Sequence, residues 1–285
     1  MSSRERIERL ARDPASGNGS GPRPPLRLGG MALRNGLLIH GPTSWAAAAR
    51  EPGGEIAVAS GPKPRVAIGR SGRIPLLRGP LRLAEALAVI PIARRELPAA
   101  RLPFEDARVA VAAIAAAGLS GAVRRSGRPT AVREALGAAL GLLPALVALR
   151  GSELAAYHGV EHKAIAAYEQ GNPDPAAVPK EHARCGSNLI APLLVLSVAG
   201  QLALERLVAE PGQLARAAAG LASVGLAVEM FAYAERHPDS AYTRAFRRPG
   251  NDIQRLVATR EPTPEQLEVG AAALEEILRA EGRSG

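Results

Sequence analysis

The string His158-Gly159-Val160-Glu161-His162 places two imidazoles and a carboxylate within one short stretch. Helical positions four apart project from one face, so His158 and His162 on a helix can grip a single ion. Glu161 sits beside them. The pattern H-x-x-E-H is the inverted zincin arrangement, in which the histidines bind zinc and the glutamate polarises water. Zinc held by three protein ligands keeps one position open, where water becomes acidic enough to give a proton to a nearby carboxylate. Glu161 is therefore the expected catalytic base.

A third ligand is required, and the chain offers three candidates. Glu229 is the first choice: it lies in the last apolar segment, where an ionisable group is costly and is usually functional or paired. Inverted zincins also draw their third ligand from a downstream glutamate. His182 and Cys185, spaced H-x-x-C, compete with it, since imidazole and thiolate both bind zinc well. If both joined the helical pair the shell would be closed and the site structural. Three of the five histidines and the one cysteine fall in this region, which calls for a specific explanation. Around them, Glu169 lies on the same stripe and can orient a histidine. Tyr157 and Arg184 are candidates to stabilise an oxyanion. Lys163 reads as surface charge, and His40 and His237 as structural.

The elements that must position these residues are legible in outline. Ser152 can cap a helix that Gly171 ends, giving a helix over 152–170. On either side lie four apolar segments, Ala107–Val123, Val132–Leu149, Leu189–Leu204 and Leu214–Ala234. Each approaches the roughly 17 to 25 residues that a spanning helix needs. The fold expected is mainly α: a polytopic membrane bundle of about four spanning helices, with a small N-terminal β module and a C-terminal amphipathic helix. The β module is read over 28–80, from extended segments broken by Gly and Pro, with Pro52-Gly53-Gly54 as a turn. An interfacial helix and linker occupy 81–106, the bundle 107–235 with the ligand-bearing segment 150–187 inside it, and a tail 236–285. In that tail Thr263, Pro264 and Gln266 make a capping box, and Leu267, Ala271, Leu274 and Leu278 form one apolar stripe.

Composition fits this outline. Hydrophobic residues make up 47% of 285 but aromatics only 3%, so the apolar runs of Ala, Leu and Val favour helices. A net charge of +9 with no aromatic stacking platform and no recognition motif argues against nucleic acid and for the anionic surface of a lipid bilayer. Residues 1–27 read as a disordered basic cytoplasmic tail, with no apolar stretch that would make a signal peptide. Four crossings then return segment 150–187 to the cytoplasmic side. The function expected is that of a zinc-dependent hydrolase at the membrane. The competing readings are a membrane assembly or scaffold protein in which His158, His162, His182 and Cys185 form a closed zinc knot, a transporter that uses Glu229 as an intramembrane cation site, and, for the fold, a soluble bundle that buries the four segments.

Taken together, these residues resemble the YqhQ-like family of bacterial membrane proteins, described as predicted metal-dependent enzymes. The resemblance rests on YHGVEHKAIAAYEQG at Tyr157–Gly171 and HARCGS at His182–Ser187. It is supported by GGMALRNGLLIHGP at Gly29–Pro42, GGEI at Gly53–Ile56, ATREP at Ala258–Pro262 and QLEV at Gln266–Val269. It departs from the family at Asn35 and His40, where glutamate and arginine are expected, and at Ala183, where proline is expected. The resemblance implies an inner-membrane location, a metal role for His158 and His162, and a glutamate at the position of Glu229. It supplies no substrate.

Overall fold

The computed structural model describes residues 24–64, 76, 78–127, 130–172 and 174–283. The expected tail up to residue 23 and the Pro- and Gly-rich stretch at 65–75 lie outside the described residues.

Four strands, β1 (Gly29–Leu33), β2 (Gly36–His40), β3 (Ser44–Arg50) and β4 (Ile56–Pro62), form an antiparallel sheet in sequential order. The connections fix the register: Leu33 pairs with Gly36 across the two-residue turn Arg34-Asn35, and Arg50 pairs with Ile56 across a five-residue loop. Both faces of the sheet are covered. Helix α1 (Arg78–Glu96) packs Val89 and Ala93 against Leu33, Leu38 and Trp45 on one face. On the other, Leu37, Ile39, Ala46 and Ala48 meet two helices defined below. A strand buried on both sides reads as a continuous apolar run, which is why Trp45–Ala49 is apolar throughout despite the helical preference of alanine.

The membrane-length helices follow. They are α2 (Ala107–Arg125), α3 (Thr130–Gly141) continued by α4 (Leu143–Leu149), α6 (Ile190–Leu207) and α7 (Gln213–Arg236). The break between α3 and α4 falls just before Pro144, whose ring cannot continue the hydrogen-bond ladder. Helices of this length and hydropathy can cross a membrane at four places, Ala107–Arg125, Thr130–Leu149, Gly186–Leu207 and Gln213–Arg236. At most 22% of any of these apolar stretches is buried inside the protein. A soluble bundle would hide these side chains, yet Val111, Ile114, Val195 and Leu214 stand exposed. Their surroundings suit lipid rather than water.

Between the two helical pairs runs α5 (Glu153–Gln170). Its N-terminus is capped by the Ser152 hydroxyl, which accepts from the Ala155 N–H, and its C-terminus ends at Gly171 with φ 63°. Only glycine adopts that left-handed conformation without strain. Most of α5 is buried, Glu161, His162 and Lys163 included. The C-terminal helix α9 (Pro264–Ala280) begins with the anticipated Thr263–Gln266 capping box and turns Leu267, Ala271, Leu274 and Leu278 inward. One hydrophobic core joins β1–β3, α5 and α9. The sheet and the C-terminal helix, far apart in sequence, are thus assembled around the helix that carries the histidines.

His40, at the end of β2, is half-buried near the Lys63 ammonium, and its enclosed Nδ1 has no partner among the described residues. Burial first, and Lys63 second, lower its pKa to about 4 from 6.5. The folded protein therefore refuses a proton that the unfolded chain accepts. This contribution to stability is complete above pH 6.5 and is lost as pH falls toward about 4. Thermal unfolding in detergent at pH 7 and pH 4.5 checks this: the acid-induced drop in midpoint is expected to be smaller for His40→Leu than for the unmodified chain.

Candidate metal centre

On α5 the rings of His158 and His162 lie 4.4 Å apart, as the spacing on one helical face requires. Each ring is turned by a carbonyl from a distant segment. His158 Nδ1 donates to the Ala258 carbonyl at 2.8 Å, and His162 Nδ1 donates to that of Lys180 at 2.6 Å. A carbonyl only accepts, so both rings carry their proton on Nδ1 and leave an Nε2 lone pair free. This is the arrangement in which metal-binding histidines are usually held. Burial keeps the His162 pKa below its usual value, against the contrary pull of Cys185, so its ring stays neutral and able to ligate.

Cys185 completes the group. One ligand atom from each of His158, His162 and Cys185 lies within 4.8 Å of the other two. The Cys185 Sγ is 3.4 Å from His158 Nε2. Tetrahedral zinc, with bonds of about 2.0 Å to nitrogen and 2.3 Å to sulfur, holds its ligand atoms roughly 3.5 Å apart. The donor set and its spacing fit such an ion.

Glu229, the first choice from sequence, is not part of this group. Its carboxylate is held by the Arg78 guanidinium and by the Leu76 N–H. The correction has a physical reason: an ionisable group in an apolar helix must be paired, and α1 brings an arginine to it. The same pair occupies the carboxylate that the transporter reading requires. His182 also lies beside the cluster rather than in it, with its ring 5.5 Å from that of His162. Its Nδ1 accepts from the Arg184 N–H, and its Nε2 faces Glu169 at 3.9 Å. Among the described residues, the side chains that converge with ligand spacing are therefore His158, His162 and Cys185.

Glu161 is buried and lines the same cavity of about 500 Å³ as His158, His162 and Cys185. Burial holds its carboxyl above the usual carboxylate range, and the charges of His158 and His182 only partly offset this. The carboxylate fits under β1 because Gly30 has no side chain: a Cβ there would lie 2.8 Å from Glu161 Cγ.

The other candidates have mixed placements. Glu169 accepts from Arg184, which also donates to the Leu28 carbonyl at 3.2 Å, tying α5 to the start of β1. Burial alone would raise the Glu169 pKa, but the nearby His182 ring and the hydrogen bond from Arg184 outweigh it and lower the pKa. Tyr157 packs in the core shared with α9, away from the cavity. Lys163, read from sequence as surface charge, is buried, donates to the Ala176 and Val178 carbonyls and pairs with Glu261 at 3.1 Å.

Sequence reasoning missed the π-helical turn Gln254–Ala258, which extends α8 (Ala241–Ile253) and delivers the Ala258 carbonyl to His158. Such turns are rare and cluster at functional sites. Gln254 is fully buried there, accepting from the His182 N–H at 2.7 Å and donating to Ser187 Oγ at 2.9 Å. The only signal in the sequence was the ATREP block that begins at Ala258.

The π-turn lies against α5 because Gly159 lets it. A Cβ at that position would fall 2.3 Å from the Arg260 carbonyl oxygen, whose own N–H donates to the Ala155 carbonyl at 2.9 Å. Glycine to alanine inside a helix ordinarily stabilises by about 0.5–1 kcal/mol. Here the sign is expected to reverse, with Gly159→Ala destabilising by about 1–3 kcal/mol through overpacking. Gly30→Ala, which meets only the Glu161 side chain, should cost less. Denaturation midpoints of the two variants check this, and an unchanged or raised midpoint for Gly159→Ala contradicts it.

Residues 152–280 match the model of a family described as "Protein of unknown function (DUF1385)". The match runs from the cap of α5 to the last residue of α9 and so contains His158, Glu161, His162, His182 and Cys185. Comparison with curated proteins and with solved structures found no match.

Proposed function

We propose that the protein is a zinc-dependent hydrolase of the bacterial inner membrane, its site opening on the cytoplasmic side. The observation that carries this reading is the convergence of His158, His162 and Cys185, with both ring protons committed to carbonyls, beside the buried Glu161.

A zinc ion held by these three side chains supplies Lewis acidity that polarises a carbonyl and acidifies water. Glu161 takes up the proton of the attacking water on a carboxylate oxygen and returns it to the leaving group. A carboxyl that burial holds above the usual carboxylate range both accepts and returns a proton more evenly than a solvated one. The apolar cavity wall excludes bulk water and strengthens each of these interactions. A structural knot closed by His182 has less support, because both nitrogens of that ring face other partners.

Topology supports the location. The sheet, α5 and α9 share one core, so they lie on one side of the bilayer, and pairs of spanning helices separate them in sequence. An even number of crossings is what that placement requires. The basic sequence ahead of the sheet, read as a cytoplasmic tail, favours the cytoplasmic side for this assembly.

Elemental analysis of detergent-purified protein is the test. About one zinc per chain is expected, retained in Glu161→Gln and lost in His162→Ala and Cys185→Ala. Removing the metal with a chelator should lower the unfolding midpoint of the unmodified chain and leave that of His162→Ala unmoved. Protein that holds no transition metal would falsify the proposal.

A further inference from the structure

The cavity over the cluster is bounded by five successive residues of one strand region, Leu28 to Ala32. Successive strand residues point to opposite faces, so a cavity that touches all of them runs along the strand edge, not beneath one face. β1 is an outer strand of the sheet. Leu33 and Gly36 flank a two-residue turn and exchange hydrogen bonds across it, so Met31 and Gly29 also face β2. The N–H and C=O groups of Gly30 and Ala32 therefore point away from the sheet, toward the cavity. Among the described residues none bonds to them. Gly29 and Gly30 present no side chain, which lets another backbone approach closely.

The opposite wall is apolar and comes from the membrane end of the structure: Ala145, Ala148 and Leu149 of α4, with Leu154 and Ile165 of α5. The cluster and Glu161 lie in the same cavity. We infer that the substrate is an extended polypeptide segment with apolar side chains, which adds to the free edge of β1 as a further strand and is cut at an amide over the metal cluster. This rests on the hydrolase reading and names its substrate class. An acyl chain would match the apolar wall equally well but would leave the outward groups of Gly30 and Ala32 dry and unpaired, whereas a peptide backbone supplies a donor and an acceptor for each. In the reaction water adds to the amide carbon and the C–N bond breaks. The proton taken by Glu161 leaves with the amine.

Metal-directed probes test the binding step without a known cleavage sequence. Full-length, zinc-loaded protein in detergent is titrated with acetohydroxamate, octanoyl hydroxamate and N-acetyl-trialanine hydroxamate, in the unmodified chain and in Ala32→Pro. Proline at that position removes the outward N–H while sparing the bonds to β2. The peptidyl probe is expected to bind at least about tenfold more tightly than either of the others. That advantage should vanish in Ala32→Pro while the affinity for acetohydroxamate is unchanged. N-methylation of the peptidyl probe's amides should erase the same advantage in the unmodified chain, which keeps the test decisive if the proline variant fails to fold. An octanoyl probe that binds as tightly as the peptidyl one, or indifference to N-methylation, overturns the peptide assignment while leaving the metal site standing. Failure of all three hydroxamates to bind overturns the hydrolase reading itself.

Discussion

Helix α5 carries two histidines, a glutamate and a lysine among its largely buried residues, and a polar group buried without a partner costs about 1–3 kcal/mol, more if charged. That cost organises the rest of the protein. The Lys163 ammonium is met by carbonyls of the loop after α5 and by Glu261. The histidine protons are met by Lys180 and Ala258. What cannot be met inside the helix is met from the segments on either side of the α6–α7 pair. The loop 174–189 and the turn 254–260 are thereby pinned to α5, and Cys185 and Gln254 are carried into place with them.

The charged groups around the cluster extend this frame. Arg184 binds Glu169 on α5 and the Leu28 carbonyl, while Glu235 at the end of α7 binds Arg247 of α8. Arg184 also approaches Glu235 at 3.9 Å, which links the two pairs. The sheet, the site helix and the end of a membrane-length helix are thus held by one chain of half-buried ion pairs. Such pairs add little net stability, but removing one partner strands the other, so they fix position more than they add free energy. The fixed quantity is the height of β1 over Glu161, and hence the shape of the cavity where a substrate would meet the cluster.

Much of this was visible in the chain itself. The limits of α5 follow from Ser152 and Gly171, and those of α9 from its capping box, because caps act over three or four residues. The four apolar segments are recognisable as membrane-length helices because length and hydropathy are local properties. The spacing of His158 and His162 already placed them on one face. An apolar run such as Trp45–Ala49 was readable as a strand from its bounding turns.

The third member of the cluster could not be read from spacing. Glu229, His182 and Cys185 were all chemically suitable, and choosing among them required knowing which helix supplies an arginine to which carboxylate and which groups face the His182 ring. Arg78 and Glu229 lie 151 positions apart in the chain, and His158 and Ala258 lie 100 apart. Local sequence carries no record of contacts at that distance. The ring tautomers, the burial of Lys163 and the exposure of the β1 edge to the cavity were decided in the same way. Local propensity and capping determined the elements; the need to satisfy buried polar groups, which exists only once the elements pack, decided which of them meet.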